Sequence, residues 1–334
     1  MSTPHPAHLQ SSEKLLEIKH LSVRFPGHNG TFLKAVNNLS LSISKMETVA
    51  LVGESGCGKS VTAFSIMQLL RKPGEICSGE IFFEGEDLLR FDEKKMQALR
   101  GSAISMIFQE PMTSLNPVLR IGYQITEAIR SHRNVPKAAA EMEAISLLTQ
   151  VGIPAAGERF SSYPHQLSGG MKQRVMIAMA LACKPRLLIA DDPTTALDVT
   201  IQAQILELID SLKQSSGMSL LLITHNLGIV SNRADRTVIM YAGSAVESAS
   251  TEFVLKTPLH PYTKGLIASL PQSSPPGQPL PAISGSLSPA HFQQPGCIFK
   301  SRCPYKVARC EIESPPLMVV KPDHFAACWR APLI

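Results

Sequence analysis

Apolar and polar residues alternate from Leu15 to Phe25 and again from Ala35 to Ile43, on either side of the turn-rich Pro26-Gly27-His28-Asn29-Gly30. A period of two on both sides of a turn predicts two antiparallel strands. The run Glu47–Val52 then predicts a third strand, and Val61–Leu70 carries apolar residues at helical spacing. Gly79–Gly85 reads as a short strand and turn, and Ala103–Gln109 as a strand that ends in a glutamine. From Pro111 to about Tyr163 the glycine and proline punctuation thins, and Val135–Gly152 follows a helical period, which predicts a mostly helical insert. Val175–Cys183 continues as an apolar helix. Arg186–Pro193 is apolar without interruption until it meets two carboxylates, the pattern of a central parallel strand buried on both faces. A helix over Val199–Lys213 and a strand over Leu220–Thr224 follow, and the Pro-, Ser- and Gly-rich stretch Pro271–Gly296 predicts an extended, irregular segment. Residues 1 to about 13 form a polar leader.

Composition narrows this picture in three ways. A chain of 334 residues with 44% hydrophobic content can bury a full core and add a small second unit. The net charge of +5 is spread without a basic run, which argues against a nucleic-acid partner. Nowhere do 18 apolar residues follow one another, and the first ten residues lack both a basic cluster and an apolar core. The expectation is a cytosolic protein without a membrane span of its own, in a compartment where its seven cysteines are not disulfides.

The candidate chemistry centres on Gly53-Glu54-Ser55-Gly56-Cys57-Gly58-Lys59-Ser60, which fits G-x-x-x-x-G-K-[ST] between a strand and the helix that Val61 continues. Glycines let successive N–H groups turn toward an anion while the helix start adds its positive end. Lys59 is placed to reach the β and γ phosphates of a nucleotide, and the Ser60 hydroxyl to ligate Mg²⁺. At the C-terminal end of the apolar strand, Asp191 can hold Mg²⁺ through water, and Asp192 can orient or deprotonate an attacking water. His225 ends the next strand, where it can sense the γ-phosphate. Ser168-Gly169-Gly170-Met171 opens a helix with exposed N–H groups, a second anion-facing helix start.

The order of these motifs resembles the ATPase subunit of an ABC transporter: the P-loop, strand-end Gln109, Leu167–Met171, Asp191-Asp192, Ala196-Leu197-Asp198 and His225. That resemblance implies an α/β P-loop NTPase of ABC type with an antiparallel β subdomain, a helical subdomain over about 111–165 and a small irregular C-terminal extension. It implies a nucleotide-binding domain over 14–255 and an extension over 256–334. It also assigns Phe25 to adenine stacking, Gln109 to Mg²⁺ and the attacking water, Ser168–Met171 to the signature, Asp198 to the D-loop and His225 to the switch.

More narrowly, Phe108–Pro117, Pro193–Gln204 and His260–Leu266 are similar to the dipeptide and oligopeptide importer subfamily over nearly the whole chain. The implied function is hydrolysis of ATP, with Mg²⁺, to power peptide import. The implied partners are a second, similar ATPase subunit, two transmembrane permease subunits and, indirectly, an extracytoplasmic solute-binding protein. The implied place is peripheral, on the cytoplasmic face of the inner membrane. Rival readings are the same machinery for nickel or another small solute, a largely non-hydrolysing regulatory subunit, and a soluble ABC ATPase acting on nucleic acid. The last usually carries two cassettes or a long coiled coil, and neither is present here.

Two residues depart from the family pattern. Asp192 stands where a glutamate is usual, which draws the carboxylate back by one methylene, about 1.5 Å, a displacement that can cost ~10²-fold in a positioned reaction. Asn226 replaces the aspartate that usually follows the switch histidine. In the tail, Cys297, Cys303, Cys310 and Cys328 have the spacing C-x5-C-x6-C-x17-C, which suggests a four-cysteine metal site. Related peptide-importer ATPases carry an iron–sulfur cluster there, so the resemblance implies [4Fe–4S]; zinc and uncoordinated or disulfide-bonded thiols are the alternatives. Cys57, Cys77 and Cys183 stand apart as packing residues.

Overall fold

The computed structural model describes residues 13–27, 31–109, 114–195, 197–270, 281–292 and 294–332. Most of the expected leader, Glu110–Thr113 after Gln109, Ala196 near Asp198 and the first ten residues of the Pro-rich segment lie outside the described residues.

The two predicted antiparallel strands are β1 (Lys14–Pro26) and β2 (Phe32–Ser44), paired through Leu16 opposite Ile43, Ile18 opposite Leu41 and Leu21 opposite Leu39. β3 (Thr48–Val52) leads into the P-loop. Helix α1 (Lys59–Ile66) is shorter than the apolar spacing predicts, because Gln68 takes a left-handed φ of 48° and turns the chain out. β4 (Glu75–Phe83) is longer than predicted and pairs with the far side of β1, and β5 (Glu86–Asp87) closes this four-stranded sheet in the order β2-β1-β4-β5. Gly79 permits that longer pairing: it sits at φ 105°, and a Cβ there would lie 2.5 Å from the Leu21 Cα.

The main sheet has eight strands in the order β11-β12-β10-β9-β3-β8-β7-β6. Its parallel part is built from β6 (Ile104–Ile107), β7 (Leu187–Asp191), β8 (Ser219–Thr224) and β9 (Arg236–Tyr241) around β3. Every residue of β3, β7 and β8 is buried, which is why their sequences read as continuous apolar runs rather than alternations. The antiparallel edge comprises β10 (Ser244–Ser250), β11 (Met318–Lys321) and β12 (His324–Ala326), none of which the hydrophobic pattern had predicted.

Between β5 and β6 lies α2 (Glu93–Leu99). The helical insert consists of α3 (Ile121–His132), α4 (Lys137–Gln150) and the single turn α5 (Ala156–Arg159). It packs on α6 (Gly169–Leu181) and α7 (Val199–Ser216) through Ile125, Leu148, Val175, Ile177 and Ile205. A separate apolar cluster joins β9 and β10 to the C-terminal segment through Tyr241, Tyr262, Phe299, Cys297 and Cys310. α8 (Leu227–Val230) lies between β8 and β9, α9 (Thr251–Lys256) follows β10, and the C-terminal segment contributes α10 (Pro261–Ala268) and α11 (Arg309–Ile312). Residues 281–292 contain no helix or strand beyond a 3₁₀ turn at Pro289–Phe292, as their composition predicts.

Candidate functional site

β3 ends at Val52, and the loop that follows turns back on the helix start of α1. Gly58 sits at φ 109°, and a Cβ there would meet the Ala35 carbonyl oxygen at 2.3 Å, so the loop needs glycine for both its turn and its close approach to β2. The Lys59 ammonium is buried and donates to the carbonyl oxygens of Gly53 at 2.7 Å and Glu54 at 2.9 Å. Two P-loop carbonyls thus hold it over the loop.

A cavity of about 430 Å³ opens there, lined by Ala35, Glu54, Ser55, Gly56, Gly58, Lys59, Ser60, Val61, Gln109, Asp192, His225 and Leu266. Residues from six separate parts of the sequence meet in it, and four of these, the P-loop, Gln109, Asp192 and His225, do so because the parallel strands β3, β6, β7 and β8 deliver their C-terminal ends to one rim of the sheet. Ala35 and Leu266 are additions that the motifs did not mark; neither carries a chemical signal in the sequence. Gly53 and Cys57 lie within the loop but do not line the cavity, and Cys57 is fully buried. A larger cavity of about 710 Å³ between β1, β2 and the C-terminal segment contains none of the candidate nucleotide-site residues, although Cys297 and His260 line it.

Asp191 is buried at the end of β7. Its Oδ1 has no hydrogen-bond partner in the chain. Burial raises its pKa, a hydrogen bond with the Ser60 hydroxyl works the other way, and the neighbouring Asp192 charge raises it further. An orphaned buried carboxylate oxygen beside a serine hydroxyl is a donor set suited to a hard cation such as Mg²⁺.

Asp192 adopts a left-handed φ of 42°, anchored by its N–H donating to the Ile223 carbonyl at 2.8 Å. That turn aims its carboxylate at His225: Oδ1 lies 3.0 Å from His225 Nδ1 and accepts from the His225 N–H at 3.3 Å. Gln109 lines the same cavity. Asn226 resolves one departure from the family pattern: its side chain accepts from the Gly228 N–H at 2.9 Å and caps α8, a task aspartate performs equally well.

The remaining predicted residues lie elsewhere. Ser168 caps α6, accepting from the Met171 N–H at 3.3 Å, and Gly169 packs toward Leu197. Asp198 caps α7 by accepting from Ile201 at 2.9 Å, and Val199 beside it is 82% exposed. None of Ser168, Gly169, Gly170, Met171 or Asp198 lines the P-loop cavity. The Phe25 ring is half-buried against the core beside Gly74 and does not line the cavity either.

The four C-terminal cysteines come together only in part. Cys297 and Cys310 are buried, Cys303 and Cys328 half-buried, and the Cys297 N–H donates to the Cys310 carbonyl at 2.8 Å. Burial, with smaller contributions from the other three thiols, pushes Cys297 up to about 11, and burial likewise raises Cys303 and Cys328. Yet among the described residues no group of three or more His, Cys, Asp or Glu side chains is arranged to hold a metal ion. The expected four-sulfur site is therefore not formed in this structure. Thiols that keep their protons do not draw together, and four thiolates would repel one another until a cation offsets their charge.

Comparison with known proteins agrees with this arrangement. The family described as ABC transporter matches residues 36–195, and the family described as oligopeptide/dipeptide transporter, C-terminal region, matches residues 246–310. The chain is 48% identical over 318 residues to the dipeptide transport ATP-binding protein DppD of Bacillus subtilis (strain 168), covering 95% of each chain. It is 46% identical over 315 residues to DppD of Escherichia coli (strain K12), covering 94% of this chain and 96% of that one. Among solved structures, a dimeric bacterial ABC transporter cassette superposes with a TM-score of 0.63 at 25% identity, covering 71% of this chain and 98% of the cassette. A rim that joins a P-loop to a carboxylate–histidine pair beside an orphaned, buried strand-end aspartate, followed by the transporter-specific C-terminal region, places the chain in the family of ATP-binding subunits of dipeptide and oligopeptide ABC transporters.

Proposed function

We propose that this chain hydrolyses ATP to power the import of dipeptides or oligopeptides, working with a second ATPase subunit on two membrane permease subunits. The observation that carries the reading is the cavity rim, where Lys59, Ser60, Gln109, Asp192 and His225 converge beside the buried Asp191. The printed names of its relatives support peptides as the cargo. Among the described residues no helix is long and apolar enough to cross a membrane, which suits a peripheral subunit on the cytoplasmic face. Cargo is delivered by an extracytoplasmic solute-binding protein.

In this reading Lys59 leaves the Gly53 and Glu54 carbonyls for the phosphates of the incoming ATP. Ser60, Asp191 and Gln109 would hold Mg²⁺, which when bound would supply neutralisation of charge on the transferring phosphoryl group. Asp192 orients the attacking water and accepts its proton, while His225 holds the aspartate in place and contacts the γ-phosphate. Phe25 supplies the stacking face for adenine. Because Ser168–Met171 and Asp198 stand away from this cavity, they complete the site on the partner ATPase, and the partner's signature completes this one.

The shorter Asp192 side chain makes this site the slower of the two. In the assembled transporter, Asp192→Glu raises ATP turnover while ATP affinity is kept; unchanged turnover sinks the slow-site reading. Reconstitution of the complex in vesicles tests the cargo: peptide-loaded binding protein stimulates ATPase activity, whereas stimulation by nickel alone would transfer the chain to the metal-importing branch.

Cys297, Cys303, Cys310 and Cys328 are four soft donors in one segment, and they fit a [4Fe–4S] cluster better than a hard cation. Backbone hydrogen bonds from Phe299, Tyr305 and the Arg330–Ala331 pair favour the thiolates of Cys297, Cys303 and Cys328, the kind of support that thiolate ligands use. The cluster would supply a structural cross-link for the extension. Anaerobic purification with iron, sulfide and zinc analysis tests it; a colourless protein with stoichiometric zinc overturns the choice of iron.

A further inference from the structure

Glu54 puts a carboxylate into a loop whose ligand is a polyanion, and it lines the nucleotide cavity. An unopposed negative charge there repels a triphosphate. The charge is met from 248 residues away: Arg302 Nη1 donates to Glu54 Oε2 at 2.9 Å, and the guanidinium side chain is only 6% exposed. The rest of the guanidinium is fixed as well. Nε donates to the Ser284 carbonyl at 2.9 Å, Nη2 to the Gly285 carbonyl at 3.0 Å and the Ile283 carbonyl at 3.5 Å, and Nη1 also reaches the Tyr241 hydroxyl at 3.4 Å. The same group lies 5.7 Å from the Tyr241 ring centroid. An arginine engaged through all three nitrogens is a rigid support, not a solvated surface charge.

Glu54 is held at two further points. Its N–H donates to the Tyr262 hydroxyl at 3.0 Å, and its carbonyl accepts from Lys59. The Lys59 bond must break when the ammonium moves to phosphate; the bond to Tyr262 and the bond from Arg302 need not. Both of those residues belong to the C-terminal segment, where Tyr262, Phe299 and Tyr241 pack edge to face or tilted with ring centroids 4.8–5.5 Å apart. Arg302 follows Phe299 in a 3₁₀ turn, so the seating of that aromatic cluster sets where the guanidinium stands.

We infer that Arg302 is a positioning residue for the nucleotide site: it neutralises and holds the Glu54 carboxylate, so that the seating of the C-terminal extension sets the affinity of the P-loop for ATP. The net charge of the pair predicts an order. Arg302→Gln leaves one negative charge in the cavity wall, Glu54→Gln leaves one positive charge, and the double substitution restores neutrality.

Steady-state ATPase measurements on the assembled transporter, with binding of a fluorescent ATP analogue to the full chain, test this order. Arg302→Gln is expected to raise the KM for ATP about five-fold, the size of a partly exposed ion pair, with kcat changed less than about two-fold. Glu54→Gln lowers KM, and Glu54→Gln with Arg302→Gln returns it to within about two-fold of the native value. An unchanged KM in Arg302→Gln overturns the inference, as does a double variant as weak as Arg302→Gln, since loss of a merely structural arginine is not rescued by neutralising Glu54. Should Arg302→Gln fail to fold, the double variant and Arg302→Lys decide. Arg302→Lys keeps the charge and keeps KM within about two-fold; a rise to the level predicted for Arg302→Gln overturns the charge argument.

Discussion

Within the P-loop and the start of α1, the buried Lys59 and Thr62 find partners a few residues away. Lys59 is held by the carbonyls of Gly53 and Glu54, and the Thr62 hydroxyl by the carbonyl of Gly58. In the C-terminal extension the partners come from far along the chain. Glu247, with no exposure, accepts from the N–H groups of Leu259 at 2.8 Å and His260 at 2.9 Å, and its Oε1 lies 2.7 Å from His324 Nε2. One carboxylate therefore ties β10, the start of α10 and β12 together. The first region is a local motif that any chain with those residues can form once the strand is buried. The second exists only after the fold has brought three distant segments to one point, and it fails as a unit if that point is lost.

Glu247→Ala separates the two regions with the largest effect. It strands two N–H groups and a histidine in a dry site, a cost of about 3–5 kcal/mol. Limited proteolysis should then cut the chain after Ser250 while the parallel strands stay protected; loss of protection throughout would show that the two regions fold as one. Lys59→Ala makes the opposite cut. ATP turnover should fall about 10²–10³-fold, as for loss of a charged group at a transferring phosphoryl, with the extension as resistant to protease as before.

Acid should loosen the extension before the core. Burial lowers the pKa of His260 from 6.5 to about 4, against a smaller opposing pull from Glu247. Between those two values the unfolded chain binds a proton that the folded chain refuses. The stability that depends on neutral His260 is therefore complete above pH 6.5 and is lost as pH falls toward 4, by up to about 3 kcal/mol. Urea unfolding at pH 7.5 and pH 5 measures the slope. His260→Asn, which keeps the cap on Tyr262 but does not titrate, should flatten it. The smallest effect belongs to the turn after His225. Asn226→Ala should cost about 1 kcal/mol through the lost cap of α8, and Asn226→Asp almost nothing, as thermal unfolding can resolve.

These contrasts explain what could be read in advance. The strands β3, β7 and β8 were legible because burial on both faces leaves an uninterrupted apolar run, and the P-loop, Asp191, Asp192 and His225 because each sits at the end of such a run. Ser168 was legible as a helix start because capping is a matter of neighbouring residues. β10, β11 and β12 were missed: Ser244–Ser250 alternates weakly, and the edge strands are short and mixed in polarity, with pairing that depends on partners rather than on pattern. The four cysteines advertised a site by their number alone, but side-chain convergence depends on the protonation state and on the ion, which spacing does not record.

By itself, the sequence determined the chemistry of this protein: a phosphate loop, strand-end carboxylates, a histidine and a family-specific order, all encoded in neighbours along the chain. The tertiary structure alone decided how those pieces are supported. That Asp192 faces His225, that Ser168–Met171 stand outside the P-loop cavity, and that Arg302 answers Glu54 across 248 residues follow from which surfaces meet when apolar faces are buried. Local motifs are written in short-range sterics and hydrogen bonds; long-range ion pairs are chosen by packing, and no reading of intervals along the chain contains them.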